Sequence, residues 1–173
     1  MELDIEEYIA NSHHYRGWVI NEFATLEKQI EAFILKDLQV MNLCGYEMQT
    51  VILDRLTFEA KRQSFKKLLE DKYLRSGFVK TNKKTFPFKP LIIELNLLND
   101  LRNMFAHYPL NDNYRNLNKD TVISLTRYRD QYDHINFSGE EMDKIVERIQ
   151  KAIIDIDSYN GELSIKKFDN LPF

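Results

Sequence analysis

The sequence predicts a mainly α-helical bundle of four to five helices with a small β-hairpin before the last helix. Three observations predict it. Apolar residues recur at three- and four-residue steps through several long segments. Gly and Pro are scarce, five and four in 173 residues, which disfavours a turn-rich all-β chain. One short stretch rich in β-formers precedes a helix-start signal.

The first helix is expected from Tyr15 to Met41, where Val19, Phe23, Leu26, Ile30, Phe33, Leu38 and Met41 mark one apolar side. Gly45 fits its end or the following turn. A second helical region covers about Met48 to Tyr73. Leu53, Leu56, Phe65, Leu68 and Leu69 give its apolar side, and Lys61, Arg62, Lys66 and Lys67 its basic side. Gly77 stops it. The segment Lys80–Pro90, KTNKKTFPFKP, reads as a basic loop, with Pro90 suited to the first turn of the next helix. That helix runs from about Leu91 to Ala106 on a stripe of Leu91, Leu95, Leu98, Leu101 and Phe105. Pro109 disfavours helical geometry at Tyr108, so the helix ends near His107. Residues 110–120 read as a polar loop. Val122–Tyr128 and Asp133–Phe137 read as hairpin strands. Ser138 with Glu141 makes a capping box, and Met142, Ile145, Ile149, Ile153 and Ile156 form one face of the last helix. The expected organisation is one domain over 1–160 and a tail over 161–173.

Composition narrows the function classes. Apolar content of 43% and charged content of 29% suit a globular domain. Cys44 is the only cysteine, which excludes an intramolecular disulfide and disfavours a cysteine metal site. The start, MELDIEEYIA, lacks a basic region followed by an apolar run, and no stretch approaches the length of a membrane span. A cytoplasmic protein with no membrane partner is expected. Neither G-x-x-x-x-G-K-[ST] nor G-x-G-x-x-G occurs, so no nucleotide cofactor is expected. His13 and His14 are adjacent and do not face one side of a helix, which argues against a metal site. Trp18 and Tyr15 read as core or interface residues, and His134 as a surface residue. Glu140, Glu141, Asp143 and Glu147 suit the dipole of a helix start.

Net charge is −3 but uneven. From Arg55 to Lys89 there are eleven Lys or Arg and three acids, a net of +8, leaving −11 elsewhere. Lys61, Arg62, Lys66 and Lys67, with the Lys80–Lys89 loop, are candidates for a basic surface that meets a polyanion. The same charges also suit a solvated helix face.

The stretch LRNMFAH, Leu101–His107, concentrates chemistry in few residues. On a helical wheel Arg102 falls inside the apolar stripe, while Asn96, Asn103 and His107 fall on a polar flank. Arg102 and His107 are then about 140° apart on a straight helix. Two readings stay open. In one, Arg102 is a core-edge arginine tied to a carboxylate such as Glu27 or Glu31, and His107 faces the helix dipole. In the other, the helix frays before Pro109, and the imidazole turns toward a cleft that Arg102 lines and a second subunit closes.

The L-R-N-M-F-A-H stretch resembles the R-x4–6-H signature of the HEPN superfamily of small helical domains, with Asn103 as the polar residue after the arginine. L-x-x-L-R-N-x-F-A-H resembles the mannitol-repressor-like branch, as do the long first helix and LTFEAKRQSFKKLLED, Leu56–Asp71. The resemblance covers Tyr15 to His107 best. It implies a helical bundle, usually dimeric, and often a metal-independent endoribonuclease of a toxin or phage-defence system, with a cognate antitoxin or other protein partner. Other members bind partners or nucleic acid, or regulate, without cleavage. The residues carried over are Arg102, Asn103 and His107. RNA is cut without metal when its 2′-OH attacks phosphorus. An imidazole suits the proton transfers, and a guanidinium suits the phosphate oxygens. One histidine cannot conveniently serve both sides of phosphorus, so chemistry as well as resemblance calls for a homodimer.

Overall fold

The computed structural model describes residues 5–40, 42–75, 86–111, 117–129 and 131–165. The chain is mainly helical, with an antiparallel hairpin directly before the last helix. The order is α1 (Ile5–Asp37), α2 (Asn42–Glu47), a π-helical turn (Met48–Ile52), a 3-10 turn (Leu53–Arg55), α3 (Phe58–Arg75), α4 (Lys89–His107), β1 (Thr121–Arg129), β2 (Gln131–Ser138) and α5 (Gly139–Ile165). The chain divides into two compact units, Met1–Ala24 with Asp100–Gln150, and Thr25–Asn99 with Lys151–Phe173.

Several boundaries differ from expectation for local reasons. α1 begins ten residues before Tyr15, because Tyr8 and Ser12 are buried and hold its first turns in place. The second helical region is broken: Leu56 is extended, and Thr57 Oγ1 accepts from the Ala60 N–H, so α3 starts at Phe58. Such a side-chain acceptor satisfies a helix N–H that has no partner within the helix. α5 runs on to Ile165, past the expected tail boundary. The basic loop lies outside the described residues except at 86–90.

In the first unit, Val19 and Phe23 of α1, Phe105 of α4, Ile123 and Leu125 of β1, and Met142, Val146 and Ile149 of α5 form the core. β1 pairs with β2 in the register Ile123↔Phe137 and Leu125↔Ile135, with an irregularity between Thr121 and Ile123. Phe105 packs on Phe137 at 5.2 Å between ring centroids. The expected polar loop after α4 starts as a strand-like pair instead. Thr126 N–H donates to the Pro109 carbonyl (2.9 Å), and Asn111 N–H to the Ser124 carbonyl (2.8 Å). α1 serves β1 as well: Tyr8 Oη accepts from Ser124 N–H, and Ser12 Oγ donates to the Val122 carbonyl, both at 3.0 Å. The capping box forms as expected. Glu141 accepts from Ser138 N–H at 2.8 Å, and Ser138 Oγ accepts from Glu141 N–H at 3.3 Å.

In the second unit, Leu26, Ile30 and Phe33 of α1 pack with Phe58, Phe65 and Leu69 of α3 and with Leu91, Leu95 and Leu98 of α4. Within this core lies Lys61, 3% exposed, whose ammonium bonds both Glu27 and Glu31. Lys28 reaches Glu31 at 2.9 Å, and Gln49 of the π-helical turn donates to Glu31 at 2.6 Å and to Asp54 at 2.7 Å. Arg62, 7% exposed, forks onto Glu59 and bonds Asn96.

Burial opposes ionisation of Glu31, but hydrogen bonds from Lys61, Lys28 and Gln49 outweigh it and hold the carboxyl below its ordinary 4.5. Burial likewise disfavours the Lys61 ammonium, and the bonds to Glu27 and Glu31 outweigh it, raising the group above 10.5. Breaking a buried pair leaves a charge uncompensated, so Lys61→Ala is expected to destabilise the protein by about 3–5 kcal/mol in urea unfolding. Pairing it with Glu31→Gln should cost clearly less than the two single losses combined. The depressed Glu31 contributes stability above pH 4.5, which is lost as pH falls through its folded value. Glu31→Gln should therefore flatten the acid limb of a stability–pH curve. The raised Lys61 contributes below pH 10.5, and that part is lost as pH rises through its folded value.

Candidate functional site at the end of α4

The C-terminal turn of α4 is fixed from three directions. Tyr108 N–H donates to the Met104 carbonyl at 3.0 Å, so the helix stays wound through His107. The Pro109 carbonyl is taken by β1, as above. Arg16 of α1 donates from Nη2 to the Ala106 carbonyl at 3.2 Å. The last carbonyls of a helix lack partners within it, and a cation there also opposes the negative end of the dipole.

Arg102 is half-buried, and Asn103 and His107 are exposed. Arg102 Nη1 donates to Asn103 Oδ1 at 3.4 Å, a long bond between sequence neighbours. Among the described residues Arg102 has no carboxylate partner, and the His107 ring makes no hydrogen bond or ion pair. The structure therefore brings Arg102 and Asn103 together and leaves His107 on another side of an unbroken helix. The fraying before Pro109 that one of the two readings requires does not occur, because the Tyr108 and Pro109 backbone bonds hold the turn.

The carboxylates considered for Arg102 are engaged elsewhere: Glu27 and Glu31 hold Lys61. That same fact corrects the expected basic surface. Lys61 and Arg62 are buried and paired inside the second unit, so they offer nothing to a polyanion. The reason is helical phase. Phe58, which the sequence reading left out of the apolar side, lies three residues before Lys61 and four before Arg62, and Phe65 lies four and three after them. Both cations thus sit on the buried face. Lys66 is half-buried; Lys67 is exposed and pairs with Asp71 at 3.0 Å.

Sequence reasoning missed Arg16. Its only signal is a position three residues before Val19, at the edge of the α1 core row. His134 lies exposed on β2, with Nδ1 3.3 Å from Thr126 Oγ1. Among the described residues no group of three or more His, Cys, Asp or Glu is placed to hold a metal ion, and no helix is long and apolar enough to cross a membrane. No protein-family model matches the chain, and neither does any curated protein or solved structure.

Two substitutions separate anchoring from exposure here. His107→Ala should shift unfolding free energy by no more than about 0.5 kcal/mol, as for surface positions generally. Arg16→Ala should cost about 1–2 kcal/mol, because it orphans a carbonyl bonded to a charged donor. Thermal and urea unfolding monitored by circular dichroism read both.

Proposed function

We propose that the protein is a HEPN-like, metal-independent endoribonuclease, toxin- or defence-related, in which Arg102 and His107 act as pairs contributed by two copies of the chain. The observation that supports this most is an arginine with no carboxylate partner among the described residues, five positions from an exposed imidazole at an anchored helix end. A cation set in an apolar stripe needs a counter-charge or a ligand, and a phosphate diester supplies one.

In the reaction, one His107 takes the proton from the 2′-OH, and the 2′-oxygen forms a bond to phosphorus. The bond to the 5′-oxygen breaks, and the partner's His107 delivers a proton to that leaving oxygen. The products are a 2′,3′-cyclic phosphate and a 5′-hydroxyl. Arg102 holds the phosphate oxygens through paired N–H groups as negative charge builds. Asn103, bonded to Arg102, keeps the guanidinium oriented. Lys61 and Arg62 take no part in RNA binding, since both are buried and paired.

A second reading, a non-catalytic regulatory or interaction module, is favoured by one observation: the unbroken helix keeps Arg102 and His107 on different sides of α4. Incubation of purified protein with end-labelled RNA in chelator separates the two. The wild type should cut and leave cyclic-phosphate ends. His107→Ala and Arg102→Ala should each slow cleavage by about 10²–10³-fold. RNA with a 2′-deoxy nucleotide at the cut should resist. Full activity in His107→Ala, or no cleavage of any RNA offered, hands the site to the interaction reading.

A further inference from the structure

The cations of the two units are engaged differently. In the second unit Lys28, Lys61, Arg62, Lys67 and Lys72 each hold a carboxylate. In the first unit three arginines stand around the end of α4, and among the described residues none of them holds one. Arg102 donates to the neutral amide of Asn103, and Arg16 gives one N–H to the Ala106 carbonyl. Arg127 directly follows Thr126, whose N–H bonds the Pro109 carbonyl, two residues past His107. Its register partner Asp133 is exposed and forms no ion pair with it. Arg127 Nε is buried and has no hydrogen-bond partner. Leaving a buried donor unmade is costly, so such an orphan needs a reason. All three arginines are half-buried rather than enclosed, which leaves them open to an acceptor from outside the chain.

The backbone places them close together. The Ala106 and Pro109 carbonyls that locate Arg16 and Arg127 are three residues apart, at most about 11 Å. Around the helix, Ala106 lies about 40° from Arg102 and about 100° from His107, within the arc that separates those two residues. A neutral acceptor leaves a guanidinium's charge uncancelled. The helix end supplies only about −0.5 of an elementary charge against three unit charges, so the region stays cationic. We propose that Arg16 and Arg127 join Arg102 in one anion-binding surface around the end of α4, and that it takes the phosphodiesters of an RNA strand. Arginine suits that ligand, because its planar fork matches phosphate oxygens and it cannot lose its charge. The surface takes the role that the buried Lys61 and Arg62 cannot fill. The inference rests on the RNA part of the proposed function, but neither on catalysis nor on a second copy.

The probe is a short 2′-O-methyl RNA oligonucleotide, which cannot be cut through its 2′-oxygen, titrated by fluorescence anisotropy over a range of salt. Each phosphate contact contributes about 0.7 to the slope of log Kd against log salt concentration. Arg16→Gln and Arg127→Gln should each lower that slope by about 0.7, and together by about 1.4. Arg16→Lys keeps the charge and should keep the wild-type slope, which separates phosphate binding from anchoring of the Ala106 carbonyl. Lys144→Gln, which removes a cation of the same unit already paired with Glu140, should leave the slope unchanged. Circular dichroism melts establish that each variant is folded. If Arg16→Gln unfolds, Arg127→Gln decides alone, since Arg127 Nε has no bond to lose. No binding by the wild type, or an unchanged slope in a folded Arg16→Gln or Arg127→Gln, overturns the proposal. So does equal displacement of the probe by polyglutamate at matched charge, which assigns the surface to an acidic peptide. Slopes lowered as expected in a protein that cuts no unmodified RNA leave this surface standing and remove only the nuclease reading. Cleavage by the wild type with unchanged slopes in the variants does the reverse.

Discussion

The second unit is organised around an ammonium placed among apolar side chains. Lys61 sits among Phe33, Phe58 and Phe65, where an unpaired charge is prohibitive, so α1 must present Glu27 and Glu31 one helical turn apart on the facing side. That demand ties the register of α3 on α1 to an ion pair as well as to apolar packing. It also reaches into the segment between them. Gln49 closes the acceptor set of Glu31, and the π-helical turn is where Gln49 is presented.

The first unit depends on a different constraint, the satisfaction of backbone polar groups where a helix gives way to a strand. α4 ends at His107, the Pro109 carbonyl just beyond it joins β1, and the Ala106 carbonyl is taken by Arg16. α1 also supplies Tyr8 and Ser12 to the same strand. The result is a helix end held firmly enough that His107 is presented outward without disorder of the turn. An exposed residue on a rigid support is the arrangement a reactive side chain requires. Arg102 stands on another side of the same helix, half-buried and bonded to Asn103.

Much of the fold was legible because it follows from local periodicity. The rows on α1, α4 and α5, the hairpin and the Ser138–Glu141 box each lie within one contiguous stretch, where spacing alone identifies a face. The candidate site was legible only as a list of residues. Arg102, Asn103 and His107 stood out, yet the sequence left open whether Arg102 met a carboxylate, and it misread Lys61 and Arg62 as surface charges. Omitting Phe58 from the apolar row turned the assumed face of α3 away from the true one. A helix whose buried face carries two cations looks, by charge alone, like one that displays them.

The sequence by itself determined the mainly helical class, the hairpin before α5, the stop at Pro109 and the polar cluster at the end of α4, because each depends on neighbours within a few residues. Only the tertiary structure decided the partners of the charges. Lys61 meets acids thirty and thirty-four positions away, Arg16 reaches a carbonyl ninety positions away, and Asn111 is buried against β1. Hydrogen bonds and ion pairs of this kind are set by how elements pack. Residue spacing carries the period of each element but not the distance between two of them.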